Sequence, residues 1–431
     1  MHYLKLIRIF AAFSAAAASV FMTCMPANAQ TSLPALNSEY ESSYDLTGDA
    51  KLFDKNGDKR MNPASITKVL AAEVIYKKAG VKNMNARATS ITKTDVSSAT
   101  KQGLYVSGFF PGESVTWNDL FHSMLYMSGA ESCYALLRTT FGNEAKAAEA
   151  MNQHAKEIGL KSSHFVNITG AHNKNHYTTA DDYVLVMKDA WNTPYLRNLF
   201  SSESYTTSDE KHTFRSPACR YRTLCGVNLI GGKTGFTTPA QHTFAGFSKI
   251  HGHIVITVTG HTKRGQSQPH MRDAAVINTY ISSHYHSAVL SSSSLRCGDS
   301  ESEKLLRSSG GFKQSVLVKN GSSPAVTKVS RIGDAQALVT LSDTDKTFTV
   351  SVPSLKSEQK KEGRNEILTS VKAKGYQESR AVTAKTYKSA YSDSDYRATF
   401  YSAGAIISFC AIGLTVIIKK SIRGWKIKTG R

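Results

Sequence analysis

Pro63-Ala64-Ser65-Ile66-Thr67-Lys68-Val69-Leu70-Ala71-Ala72-Glu73-Val74 is the stretch on which the fold turns. Ile66, Val69, Leu70 and Val74 recur at helical spacing, Pro63 fixes the entrance, and Gly80 is a stop signal, so a helix is predicted over 64–78. Ser65 and Lys68 lie three residues apart at its start, which projects a hydroxyl and an amine from one face. Such a lysine can take the serine proton only when it is neutral, which requires burial or a neighbouring positive charge. The positive end of the helix favours a developing oxyanion. Alone, Ser-x-x-Lys is unspecific, because a capping serine with a solvated lysine gives the same letters.

Two further stretches supply partners. Ser128-Gly129-Ala130 follows the helical run Leu120–Met127, and a break at the glycine presents a second hydroxyl at a turn. Lys233-Thr234-Gly235 follows Gly231-Gly232 on a strand-like run, where glycine lets backbone approach closely and a lysine beside a hydroxyl suits a carboxylate. The runs Val227–Gly235, Phe244–Lys249 and Ile254–His261 read as an antiparallel meander. The order Ser-x-x-Lys, Ser-Gly-x, Lys-Thr-Gly is far more specific than any one of the three.

With these motifs the chain resembles the D-alanyl-D-alanine carboxypeptidases, low-molecular-weight penicillin-binding proteins of the serine β-lactamase-like superfamily. The likeness covers roughly residues 38 to 285. It includes Leu52-Phe53-Asp54-Lys55-Asn56, Pro111-Gly112-Glu113 with Asp119-Leu120, and His164-Phe165-Val166-Asn167 through Thr169-Gly170 to His172 and His176. It implies an α+β transpeptidase-like fold, an antiparallel sheet flanked by helices. It also implies Ser65 as nucleophile, Lys68 as general base and Ser128 as proton relay. Lys233 and Thr234 would clamp the substrate's terminal carboxylate, with Gly235 and Phe236 completing the substrate-binding strand and the backbone N–H groups of Ser65 and Phe236 forming the oxyanion hole. The implied partners are a peptidoglycan stem peptide ending in D-Ala-D-Ala and β-lactams as covalent inhibitors, without a cofactor. Two departures stand out: Ala130 replaces the family's usual asparagine, and Ile230 its common aspartate. The same motifs serve β-lactamases, many of which carry a glutamate followed four residues later by asparagine; Glu157 is followed by Lys161. Ala130 also raises a third reading, a weakened site kept as a wall-binding module.

The remaining chain reads as export and anchoring. Lys5 and Arg8, an apolar run Ile9–Met22 and the small-x-small site Ala27-Asn28-Ala29 mark a signal peptide over 1–29. The catalytic domain then occupies 30–287. A serine-rich linker is expected over 288–311, and a small β-rich module over 312–353, where Val316-Leu317-Val318 precedes Asn320-Gly321 and Phe348, Val350 and Val352 alternate with polar residues. A polar spacer, 354–397, leads to 398–418, an uncharged run that spans about 30 Å as a helix, and to a basic cytoplasmic tail, 419–431. The 431-residue chain carries a formal charge of +20; two positive charges fall in the leader and six in the tail, which leaves +12 outside. An exported basic chain meets anionic wall polymers and lipid headgroups rather than nucleic acid.

Cys219 and Cys225 enclose a short polar loop and are disulfide candidates in an oxidising compartment, whereas Cys133 reads as a small core residue. His164, His172 and His176 have metal-like spacings but sit in a polar loop without a matching carboxylate cluster, so no metal is expected. Lys77 and Lys78 read as a solvated face.

Overall fold

The computed structural model describes residues 35–216, 228–263, 265, 267–291, 300, 304–305, 313–322, 326–333, 336–341 and 347–351. The leader, the Cys219–Cys225 pair, the spacer, the 398–418 run and the basic tail lie outside the described residues. Among the described residues no helix is long and apolar enough to cross a membrane.

The first strands of the chain are β1 (Tyr40–Asp45) and β2 (Ala50–Lys55). Two short antiparallel pairs, β3 (Arg87–Ser90) with β4 (Ser114–Thr116) and β5 (Ser204–Thr206) with β6 (Thr213–Arg215), stand apart from the main sheet. β7 (Asn228–Thr237), β8 (Gln241–Ile250) and β9 (His253–Thr262) form the meander expected from the three apolar runs. β1 and β2 return to its far edge, giving the order β2-β1-β9-β8-β7. β9 is central and buried on both faces, which its unbroken apolar and threonine run supports. Because successive side chains alternate, Val255 packs with Ile277 and Ile281 of α8 (Pro269–His284), and Thr257 Oγ1 donates to Asn278 Oδ1 at 2.8 Å on the same face. The opposite face takes α6 (Ala180–Asn192) and α7 (Pro194–Ser201), whose Trp191 and Phe200 flank Phe247 with ring centroids 4.7 and 5.5 Å away.

The predicted helix at 64–78 has a tighter start than its periodicity showed: Ala64–Thr67 is a 3-10 turn and α1 spans Lys68–Ala79. Its residues from Lys68 to Ile75 are all buried, so α1 runs through the core rather than over it. Gly80 ends it at φ +60°. α4 (Ala130–Thr140) and α5 (Glu144–Glu157) pack around it, and α2 (Lys93–Lys101) packs on α4.

The linker expected from Ala288 is corrected at its onset. β10 (Tyr285–Ser291) pairs antiparallel with β11 (Lys313–Lys319), and Leu317 joins the cluster of Leu52, Ile250, Val255, Ile277, Ile281 and Tyr285. His253 holds this ribbon: its Nδ1 lies 2.9 Å from Asp45 Oδ2, and its Nε2 lies 2.8 Å from Ser315 Oγ and 3.1 Å from Ser287 Oγ. Ser287 and Ser315 thus serve as hydrogen-bond partners for a buried imidazole. β12 (Val326–Gly333), β13 (Gln336–Leu341) and β14 (Thr347–Ser351) form a separate three-stranded antiparallel sheet.

Glu41 on β1 is fully buried, and neither carboxylate oxygen has a hydrogen-bond partner; the nearby Ser38 hydroxyl is committed to Asp273 at 2.7 Å. Burial therefore pushes the Glu41 carboxyl up to about 8 from its ordinary 4.5. A raised carboxyl contributes stability that is present below the unfolded value and lost as pH rises through the folded one. Glu41→Gln should therefore gain Tm relative to the parent as pH goes from 5 to 9. Melting curves at both pH values check this, and a pH-independent difference would contradict it.

Candidate active site

Ser65 sits on the 3-10 turn ahead of α1, immediately after Ala64, whose φ is +49°. A non-glycine residue in that region costs about 1–3 kcal/mol and persists only where its surroundings hold it. The hold comes from two sides. On one, Gly170 presses on the turn so closely that a Cβ there would lie 1.9 Å from Ala64 O. On the other, β7 runs past it at Gly235, where a Cβ would lie 2.8 Å from Ser65 N. Thr243 Oγ1 adds a bond to Pro63 O at 2.9 Å.

Lys68 is 1% exposed, and its Nζ donates to Ser65 Oγ at 2.9 Å and to Thr169 O at 2.6 Å. Burial holds its amine below the usual lysine range, with Cys133 and Glu131 pulling the other way. Lys233 is also fully buried, its Nζ donating to Thr234 O at 2.8 Å. Burial, reinforced by the charge of Lys68, holds it well below the ordinary lysine value. Thr234 is half-buried, and Phe236 beyond Gly235 is 40% exposed. Ser65, Lys68, Lys233, Thr234 and Gly235 are thus brought together from the 3-10 turn, α1 and β7.

Ser128 arrives differently. α3 (Trp117–His122) widens into a π-helical turn, Ser123–Met127, and the break falls at Ser128 itself, at φ +62°, while Gly129 has φ −55°. The expectation of a break at the glycine is therefore corrected; the turn places the serine, not the glycine, in the left-handed region. Ser128 is half-buried, and the Lys68 amine is directed to Ser65 and Thr169 instead. Ala130 is fully buried, its N–H bonded to Tyr105 O at 2.9 Å.

Several further side chains surround the site. Glu131 is buried, and its Oε1 accepts from Ser107 N at 2.6 Å and Ser107 Oγ at 2.7 Å, while Oε2 is buried without a partner. Its clue was one acid inside the apolar stretch of α4. Cys133 is a buried free thiol, pushed by burial to about 11. His176 accepts from Val166 N at 3.2 Å through Nδ1, which leaves Nε2–H to donate to Thr67 Oγ1 at 2.8 Å. Nε2 ties the 164–176 segment to the turn, while Nδ1 closes the segment on itself at Val166. His164 Nδ1 is bonded to Asn175 O at 2.7 Å. His270, in the first turn of α8, is buried with neither ring nitrogen bonded; it stacks on His242 at 5.0 Å, and His242 lies 4.6 Å from Phe236. Burial, helped by His242 and Lys233, lowers His270 to about 3.

A profile of the D-alanyl-D-alanine carboxypeptidases (peptidase S11) matches residues 29–263, more than half of the chain. The chain belongs to the D-alanyl-D-alanine carboxypeptidase family. Among curated members, it is 26% identical over 228 residues to the D-alanyl-D-alanine carboxypeptidase DacF of Bacillus subtilis, covering 52% of this chain and 56% of the relative. It is 25% identical over 251 residues to DacC of Escherichia coli, covering 56% of this chain and 60% of the relative. The chain thus spans somewhat more than half the length of these relatives. Penicillin binding protein 5 from Haemophilus influenzae superposes with a TM-score of 0.59 at 16% identity, over 75% of this chain and 99% of that one. A D-alanyl-D-alanine carboxypeptidase of Mycobacterium tuberculosis superposes with a TM-score of 0.50 at 22% identity, over 59% and 93%. These likenesses show the fold, an α+β penicillin-binding-protein architecture. Ala130 and Ile230 are both buried.

Proposed function

We propose that the chain is a serine-type D-Ala-D-Ala carboxypeptidase acting on peptidoglycan stem peptides through an acyl-enzyme at Ser65. The observation that carries this is the buried Lys68 amine 2.9 Å from Ser65 Oγ. Burial favours its neutral form, so its lone pair can take the hydroxyl proton as Oγ bonds to the carbonyl carbon of the penultimate D-alanine. The resulting oxyanion is assigned to the backbone N–H groups of Ser65 and Phe236. Collapse breaks the C–N bond, and Ser128 returns the proton to the leaving amine. Water then releases the acyl group. Lys233 and Thr234 are assigned to the terminal carboxylate, whose negative charge restores the proton to the Lys233 amine.

The placement follows the sequence: the leader at 1–29 supports export, and the uncharged run 398–418 with its basic flank supports a single-pass anchor with the catalytic domain outside. The strands from β12 to β14 are assigned to a small β-rich module ahead of the spacer. Incubating the protein with a stem peptide ending in D-Ala-D-Ala and following free D-alanine tests the activity. Release of one D-alanine per peptide is expected; an intact peptide, under conditions where labelled penicillin is captured, would leave a penicillin-binding fold without this activity.

A further inference from the structure

On the far side of α1 from Lys68, Glu73 (α1), His154 (α5) and Asp189 (α6) converge. Glu73 follows Lys68 by five residues, which turns it roughly 140° around the helix axis, away from the site described above. His154 Nε2 lies 3.0 Å from Glu73 Oε2 and 2.9 Å from Asp189 Oδ2. Glu73 is fully buried and its second oxygen, Oε1, has no partner.

We propose that Glu73, His154 and Asp189 form a binding site for a divalent transition-metal cation of the zinc type, which fastens α1 to α5 and α6. Two carboxylates and one imidazole nitrogen, drawn from three helices, are the donor set such a cation takes, with a fourth position left to water. Tetrahedral bonds of 2.0–2.2 Å set ligand atoms roughly 3.3 Å apart, and the three ligand atoms already lie within 4.8 Å of one another. The buried, unpartnered Glu73 Oε1 marks lone pairs that no protein donor satisfies, and a cation satisfies them. His154 Nδ1 lies 3.5 Å from Glu157 Oε2. In the metal-free site Nε2 carries a proton between the two carboxylates; a bound cation displaces it, and the Glu157 carboxylate favours the proton that stays on Nδ1. Two negative charges would balance the cation.

The way in lies beside Asp189, which is 25% exposed. Lys77, 48% exposed, is not simply the solvated lysine its sequence suggests: its Nζ lies 3.1 Å from Asp189 Oδ2 and 3.3 Å from His154 Nε2. It covers the outer side as an ammonium on a flexible stem, which the incoming cation displaces. The mixed nitrogen and oxygen donors and their small number disfavour calcium or magnesium, which take six or more oxygens.

The test uses the untagged full-length chain stripped with a chelator. Cobalt(II) titration should give a saturable, one-to-one ligand-field absorption of tetrahedral type, and zinc at about 100 times its Kd should raise Tm by roughly 5–10 °C. Glu73→Gln preserves shape and a hydrogen bond to His154, and Asp189→Asn changes a partly exposed group. Each should weaken cobalt binding by more than about 100-fold, while His172→Ala should leave it unchanged. An unaltered Tm and spectrum in the parent would overturn the site, leaving the three side chains bridged by protons alone. So would parent-like affinity in both carboxamide variants, or loss of binding in His172→Ala.

Discussion

Ser65→Ala abolishes covalent capture of labelled penicillin and lowers D-alanine release by at least about 10⁴-fold, because residues that act as one catalytic unit cannot be removed singly at small cost. The fold should survive: the turn is held by Gly170, Gly235 and Thr243 against the backbone of Pro63, Ala64 and Ser65, not by the Ser65 hydroxyl. Intact-mass spectrometry after penicillin treatment is the direct measurement, and an adduct retained at another serine would reject Ser65. Lys68→Ala should lose acylation almost as fully for the same reason. In the parent, the acylation rate should rise with pH as the Lys68 amine loses its proton, with a midpoint below the ordinary lysine value, since burial lowers it. A midpoint at or above about 10.4 would mean that the amine is not desolvated in solution.

That prediction rests on contacts the chain reveals only in part. The helix after Pro63 and the three-strand meander were legible because their apolar residues repeat at periods of 3.6 and 2, which any window of the chain displays. The pairing of Ser65 with Lys68 was legible for the same reason, as a local spacing. The acceptor that orients Lys68, Thr169 O, lies 101 residues away and is a backbone atom, so no side-chain pattern announces it. Ser128 was legible as a hydroxyl at a turn, but its left-handed backbone was not, because the glycine beside it was the better local candidate and the π-helical widening of Ser123–Met127 shifts the break by one residue. Ala288 to Ser291 were read as linker for a related reason: they are strand residues only because β11 pairs with them. Glu73 and His154 looked like ordinary helix residues until three helices placed them around one point.

Lys233→Ala separates a carboxypeptidase from a broader acyl hydrolase on this fold. A peptide ending in D-alanyl-D-alanine brings a free carboxylate, and a lysine beside Thr234 binds it through charge-assisted hydrogen bonds worth about 1.5–3 kcal/mol. The free site holds the Lys233 amine well below its ordinary pKa, through burial and the neighbouring Lys68, and an arriving carboxylate favours its charged form. The loss on substitution should therefore fall on acid substrates. Hydrolysis of the free-acid peptide is expected to drop roughly ten- to hundred-fold in kcat/KM, while its C-terminal amide, which lacks the charge, should change far less. The acid-to-amide ratio measured in parent and variant decides between the readings: an unchanged ratio would remove the carboxylate clamp.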